Sequence, residues 1–210
     1  ESGLPSAVKA HLAFATEKLN ELTELGDLAD APLNDDHPSL IRNVALFSKK
    51  RGSENEDVRE KVCAISEADY VRQPSFYERE RIQKQVFRLP LLPTTTIGSF
   101  PQTTDVKANR TALRQKTISQ EEYRAFNREK IAACVALQEK IGLDVLVHGE
   151  FERNDMVEYF AERLNGFLFT EKGWVQSYGT RCVKPPILWG DVSRDHPITV
   201  EWSVYAQSLT

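Results

Sequence analysis

The sequence predicts an α/β protein in which a helical stretch precedes the opening βα units of a parallel-strand domain. Three observations predict it. Apolar residues recur at helical spacing through residues 1–88, with no convincing strand among them. A proline-rich run, LPLLP at 89–93, then interrupts the pattern. Beyond it, β-branched runs alternate with amphipathic stretches in the order strand, helix, strand, helix that parallel βα units require.

In the helical region, Val8, Leu12, Ala15, Leu19 and Leu22 share one helix face, and Gly26 is a suitable stop. A loop with Pro32, Asn34 and Asp35 follows. Leu40, Val44 and Phe47 form a second stripe, ended by Gly52. Ser53 with Glu56 makes a capping box for a third helix carrying Val58, Val62 and Ile65. A fourth begins near Pro74 and Ser75, with Glu78 at the capping-box position, and runs toward Val86. The residues alone leave two readings of this region: a small bundle without a function of its own, or the end of one domain plus a connector. Pro90 and Pro93 hold the backbone extended and divide the chain into 1–88 and 89–210.

The run TTTIGSF at 94–100 is β-branched and apolar, as a buried strand is. Ser119 with Glu122 is a capping box. Tyr123, Phe126, Ile131, Cys134, Leu137 and Ile141 then line one helix face, and Gly142 suits the position after its end. LDVLV at 143–147 is the second strand. Asn154 caps a short helix with Val157, Tyr159 and Phe160. The right-handed crossover rule makes 94–99 and 143–147 neighbouring parallel strands. Short strands with turns follow over 166–170, 174–178 and 181–189. A final helix over 199–209 places Trp202, Tyr205 and Leu209 on one face.

Composition excludes several functions. A net charge of −4 offers no nucleic-acid footprint, and no Lys/Arg run reads as a membrane patch. No apolar stretch approaches the roughly 18 residues of a membrane span. Cys63, Cys134 and Cys182 are odd in number and far apart, which points to a reducing, cytoplasmic setting. No CxxC or HxxxH supplies a local zinc set. The chain begins with Glu1 and holds one methionine, Met156, so it is expected to be an internal piece of a longer polypeptide.

In parallel βα architectures, functional residues gather at the C-terminal ends of strands. The first strand ends in Ile97, Gly98 and Ser99. Gly98 lets a ligand approach the backbone, and the N–H groups with the Ser99 hydroxyl can hold a carboxylate; a plain strand-to-loop turn is the alternative. The second strand ends in His148, Gly149 and Glu150. A carboxylate there needs a partner, either an amino-group ligand or Arg153 in a structural salt bridge. His148 reads as a satisfied core or rim residue rather than a ligand. Arg181 can clamp a carboxylate, stack on a flat ring or stand as an exposed charge. Cys182 reads as a structural thiol, since no local base would activate it.

Three blocks carry a resemblance: LPTTTIGSFPQT at 92–103, DVLVHGEFERNDMVEYF at 144–160 and WVQSYGTRCVKPP at 174–186. Together they closely resemble the cobalamin-independent methionine synthase family, in its order, across 89–210. Residues 1–88 resemble the end of that family's N-terminal barrel and its interdomain connector. The resemblance implies TIM-type (β/α)8 barrels. Such a barrel needs about 250 residues, so 89–210 would be an incomplete one, the first part of the C-terminal catalytic barrel. It implies methyl transfer from 5-methyltetrahydropteroyl polyglutamate to homocysteine, giving methionine, without cobalamin and with zinc activating the thiol. It implies that Ile97, Gly98, Ser99 and Glu150 bind homocysteine and that Arg181 and Cys182 contact the folate. The zinc ligands, the proton donor and a pterin-contacting Trp are implied beyond residue 210. No metal ligand or catalytic residue is therefore expected in this segment. Its expected partner is the remainder of the same polypeptide, and the segment alone is expected to be inactive. Two other readings stay open: a non-catalytic binding or recognised fragment, and a related methyltransferase with another thiol acceptor.

Overall fold

Local capping chemistry sets where many of the helices begin and end. The longest, α7 (Gln120–Ile141), opens on the expected capping box: the Ser119 hydroxyl accepts the Glu122 N–H at 3.1 Å, and the Glu122 carboxylate accepts the Ser119 N–H at 2.7 Å. Gly142, with φ 85°, closes it in the left-handed conformation. The computed structural model describes residues 3–30, 36–49, 52–179 and 182–210. The loop expected at Pro32, Asn34 and Asp35 lies outside the described residues. The architecture is α/β, with two two-stranded antiparallel sheets and one isolated parallel bridge among the described residues. By its contacts the chain divides into two compact units: residues 1–60 with 161–194, and 61–160 with 195–210.

The first unit holds α1 (Ser6–Lys9), α2 (Ala15–Asp30), α3 (Pro38–Phe47), the start of α4 (Glu56–Cys63) and strands β1 to β4. The helix expected from Val8 to Leu22 is two helices. Glu17 folds back to accept the Phe14 N–H at 3.1 Å, which starts α2 there. α2 runs through Gly26, because an exposed glycine costs a helix only about 1 kcal/mol relative to alanine. α3 starts with Pro38 in its first turn and with His37 Nδ1 accepting the Ser39 N–H, and it ends at Phe47, before Gly52. Asn55 rather than Ser53 caps α4, its side-chain oxygen accepting the Val58 N–H at 3.3 Å.

Ser53 is engaged elsewhere, because its carbonyl accepts the Asp191 N–H at 2.9 Å. Asp191 lies in β4 (Ile187–Ser193), which pairs antiparallel with β1 (Asn165–Leu168). Between Asn165↔Ser193 and Phe167↔Leu188 the register slips, five steps on β4 matching two on β1. Gly166 sits at this bulge with φ 90°, and a Cβ there would lie 2.6 Å from the Asp191 carbonyl oxygen. The bulge frees Asp191 to bind the start of α4. Its carboxylate accepts from the Asn55 N–H and the Arg59 Nε, both at 2.8 Å, and these bonds hold the Asp191 carboxyl below the usual range. A second pair, β2 (Val175–Gln176) with β3 (Cys182–Val183), completes the unit's sheets.

The second unit contains a 3-10 turn (Glu67–Tyr70), α5 (Phe76–Phe87), α6 (Thr104–Arg114), α7, most of α8 (Met156–Ala161) and α9 (Val200–Gln207). Ser75 precedes α5 without a side-chain cap; the capping carboxylate in this stretch is Asp69, which accepts from the Ser66 N–H and hydroxyl at 2.8 Å. α6 was not foreseen, being polar and burying only Val106. Asp155 accepts the Glu158 N–H at 2.9 Å and opens α8, one residue later than the expected Asn154. Val106, Ile131, Cys134, Val135, Phe151 and Trp202 form the buried core.

The two segments expected as strands, 94–99 and 143–147, form no regular ladder, and 94–97 is exposed rather than buried, but they run parallel and side by side. The Thr94 carbonyl accepts the N–H groups of Asp144 and Val145 at 3.2 and 3.0 Å. At the other end, Phe100 donates its N–H to the Gly149 carbonyl at 2.9 Å, beside the parallel bridge Ser99↔Gly149. Residues 145, 147 and 149 would all face the same neighbour in a regular ladder. Val147 instead turns to α7: its N–H donates to Gln138 Oε1 at 2.9 Å, and its carbonyl accepts from Gln138 Nε2 at 2.7 Å. The fully buried Gln138 amide thus replaces a strand peptide, and the pairing closes only at its ends.

Each buried polar group left unpaired costs about 1–3 kcal/mol. Gln138→Leu strands the Val147 N–H. Hydrogen exchange read by mass spectrometry is expected to show the Val147 amide exchanging at least about thirtyfold faster, the equivalent of about 2 kcal/mol. An unchanged rate would remove Gln138 as its partner.

Candidate functional site

The 143–147 stretch ends in a turn built from two residues in the left-handed region, Gly149 at φ 88° and Glu150 at φ 59°. At Gly149 a side chain is excluded twice. The conformation disfavours one, and a Cβ would lie 2.5 Å from the ring of Phe151, a core residue. Glu150 has no such freedom, and a non-glycine residue held there costs on the order of 1 kcal/mol or more. Arg153 grips both Glu150 carboxylate oxygens, Nη2 to Oε1 at 2.7 Å and Nε to Oε2 at 3.1 Å.

Arg153 is itself anchored. Its Nη1 donates to Glu152 at 2.6 Å. Glu152 is only 4% exposed, and both its carboxylate oxygens lie 3.2 Å from His148 Nε2. The Tyr123 hydroxyl donates to the Glu152 carbonyl at 3.1 Å. Arg110 of α6 donates to the carbonyls of Phe151 and Arg153 at 3.2 and 3.1 Å and to the Gln102 side chain at 2.6 Å. The Arg153 guanidinium also lies within 5.9 and 6.0 Å of the Tyr159 and Phe160 ring centroids.

Burial is the largest single influence on both members of the Glu152–Arg153 pair, and alone it would push Glu152 up and Arg153 down. The His148 hydrogen bond and charge, with Arg153, outweigh it and hold the Glu152 carboxyl below the usual range. Glu150 and Glu152 likewise hold Arg153 above its ordinary value. The Cys134 thiol beneath is pushed up by burial, which suits a packing role.

This network borders a cavity of about 380 Å³, whose walls include Gly98, His148, Glu150 and Arg153, with Ser203 and Gln207 from α9. A Cβ on Gly98 would lie 3.1 Å from Glu150 Oε1, so Gly98 and Glu150 meet at one wall. Ser99 stands beside them at the parallel bridge. Ile97 is 91% exposed. Arg181 lies outside the described residues. Cys182 lies in β3 of the first unit, with its thiol exposed. Sequence reasoning foresaw Arg153 as one partner for Glu150 but missed Glu152 and Arg110; the four-residue spacing of His148 and Glu152 was the available signal. A half-buried carboxylate facing a glycine backbone can take an ammonium group. Among the described residues, no group of three or more His, Cys, Asp or Glu is placed to hold a metal. These residues do not fit a zinc site. No helix among the described residues is long and apolar enough to cross a membrane.

The depressed Glu152 carboxyl links stability to pH. Its contribution is fully present above the ordinary glutamate value of about 4.3 and is lost as pH falls through the lower folded value. Urea midpoints measured from pH 6 to pH 3 are expected to fall more steeply for the native sequence than for Glu152→Gln, which is less stable at pH 7. Equal acid limbs would mean that Glu152 is not held ionised by its neighbours.

The comparisons with known proteins bear on the same segment. The family described as "Cobalamin-independent synthase, Catalytic domain" matches residues 92–210. Over its full length the chain is 58% identical to the 5-methyltetrahydropteroyltriglutamate–homocysteine methyltransferase of Bifidobacterium adolescentis. It is 56% identical to the protein of that name from Campylobacter jejuni, and it spans 28% of the length of each. A solved B12-independent methionine synthase from a Shewanella species, in complex with selenomethionine, has a TM-score of 0.46 and 25% identity, covering 58% of this chain and 36% of that one. On the family match and the identities to the two methyltransferases, the chain belongs to the cobalamin-independent methionine synthase family.

Proposed function

We propose that this chain is the segment of a 5-methyltetrahydropteroyl polyglutamate–homocysteine methyltransferase that carries the amino-acid end of the homocysteine site. The observation that supports this best is the corner where Gly98 meets Glu150, in a chain aligned throughout with enzymes of that name. Glu150 pairs with the ammonium of homocysteine. Ser99 and the neighbouring backbone N–H groups receive its carboxylate, and Ile97 flanks them. Arg181 and Cys182 serve the folate. Residues 1–88 form the end of an N-terminal barrel and its connector, and 89–210 the opening βα units of a TIM-type catalytic barrel. Zinc, which activates the substrate thiol in such an enzyme, is held by residues outside this chain. The setting is the cytoplasm, and the partner is the rest of the polypeptide.

Glu150→Gln in the complete polypeptide removes the charge and keeps the shape. Losing a charge-assisted hydrogen bond costs about 1.5–3 kcal/mol, or roughly tenfold to a hundredfold in homocysteine affinity. Calorimetry with zinc present is expected to show that loss, with folate affinity little changed. An unchanged homocysteine affinity would leave Glu150 as a structural partner of Arg153.

A further inference from the structure

Glu150 faces the cavity, but nothing in its own stretch of backbone fixes where its carboxylate points. Arg153 does so, and Arg153 in turn is held on every side. One edge of its guanidinium binds both oxygens of Glu150, while Nη1 binds Glu152. Its flanks meet Tyr159 and Phe160. Its own carbonyl and that of Phe151 are bound by Arg110. The side chain of Arg153 is 12% exposed and that of Glu152 is 1% exposed, against 27% for Glu150. Rigidity therefore runs outward from buried Glu152, through Arg153, to the one carboxylate that reaches the cavity.

We propose that Arg153 is a positioning residue, which presents the Glu150 carboxylate to the ammonium of the amino-acid substrate. The inference rests on the amino-acid pocket proposed above. A carboxylate oxygen has two lone-pair directions. The bidentate arginine occupies one on each oxygen of Glu150 and leaves the other open. Oε1 is the oxygen that lies toward Gly98. An ammonium arriving there completes a row of alternating charges: Glu152, Arg153, Glu150, ligand. Holding Glu150 in this orientation beforehand spares the ligand the cost of ordering it. A lysine supplies the charge but not the planar fork, so it cannot hold both oxygens of Glu150 and also Glu152 in one plane.

The test is a double-mutant cycle in the complete polypeptide, with homocysteine and methylated-folate affinities measured by calorimetry and the homocysteine KM measured separately. Arg153→Met is expected to weaken homocysteine about tenfold and Arg153→Lys about threefold, a partial rescue, with folate affinity unchanged. Because Arg153 acts through Glu150, the double variant Glu150→Gln/Arg153→Met binds homocysteine no more weakly than Glu150→Gln alone. Additive losses, or a matching fall in folate affinity, would make Arg153 a structural residue only and overturn the inference. So would native homocysteine affinity in both Arg153 variants while Glu150→Gln is weakened. Native affinity in Glu150→Gln overturns the pocket itself, an outcome distinct from failure of the arginine. If Arg153→Met does not fold, the same cycle run with Arg153→Lys decides by the same criteria.

Discussion

The hydrogen bond from the Phe100 N–H to the Gly149 carbonyl, at 2.9 Å, is the contact on which the candidate site depends. It joins the ends of two extended segments 49 residues apart in sequence and sets their register. With that register, Gly98 meets the carboxylate of Glu150 and Ser99 lies beside Gly149. A slip of one residue would turn every side chain of one segment to the opposite face, and the corner would not form. The far end is tied independently. The Asp144 carboxylate accepts the Thr94 N–H and hydroxyl at 2.8 Å, bonds that hold its carboxyl below the usual range.

The second constraint is the cost of burying charge. A desolvated carboxylate such as Glu152 is tolerated only with its lone pairs filled. His148 and Arg153 fill them here. The same requirement ties down the loop after Gly149, since Arg153 also binds Glu150 and its carbonyl is bound by Arg110. At the rim, Glu150 keeps part of its surface in the cavity. Asp191 of the first unit, less buried than Glu152, also has its lone pairs filled by neighbours. Its carboxylate ties the start of α4 to a bulge in β4, through Asn55 and Arg59.

Long-range contacts changed several local expectations. Ser53 has the sequence of a helix cap, yet its carbonyl serves β4, and Asn55 caps the helix instead. The strand pairing expected along 94–99 and 143–147 is interrupted because Gln138, a helix residue, takes both backbone groups of Val147. Helix α6 escaped notice because it buries little apolar surface; Arg110, which α6 carries, binds backbone carbonyls 41 and 43 residues away.

The sequence by itself determined the alternation of helices and extended segments after residue 93, the capping box and glycine stop of α7, and the candidates Gly98, Ser99 and Glu150. These depend on atoms within about four residues of one another, and hydrophobic period and cap chemistry record such relations directly. Family membership was legible as well, in three ordered blocks. Only the tertiary structure decided which partner each buried polar group takes. The sequence left Glu150 with either an amino-group ligand or Arg153 as its partner, and the structure pairs it with Arg153. The physical reason is that a buried charge or amide accepts whichever complementary group the fold brings within about 3 Å. For Val147, Glu152 and Asp191 that group comes from another element of the chain, or from a turn whose shape the chain's long-range pairing sets.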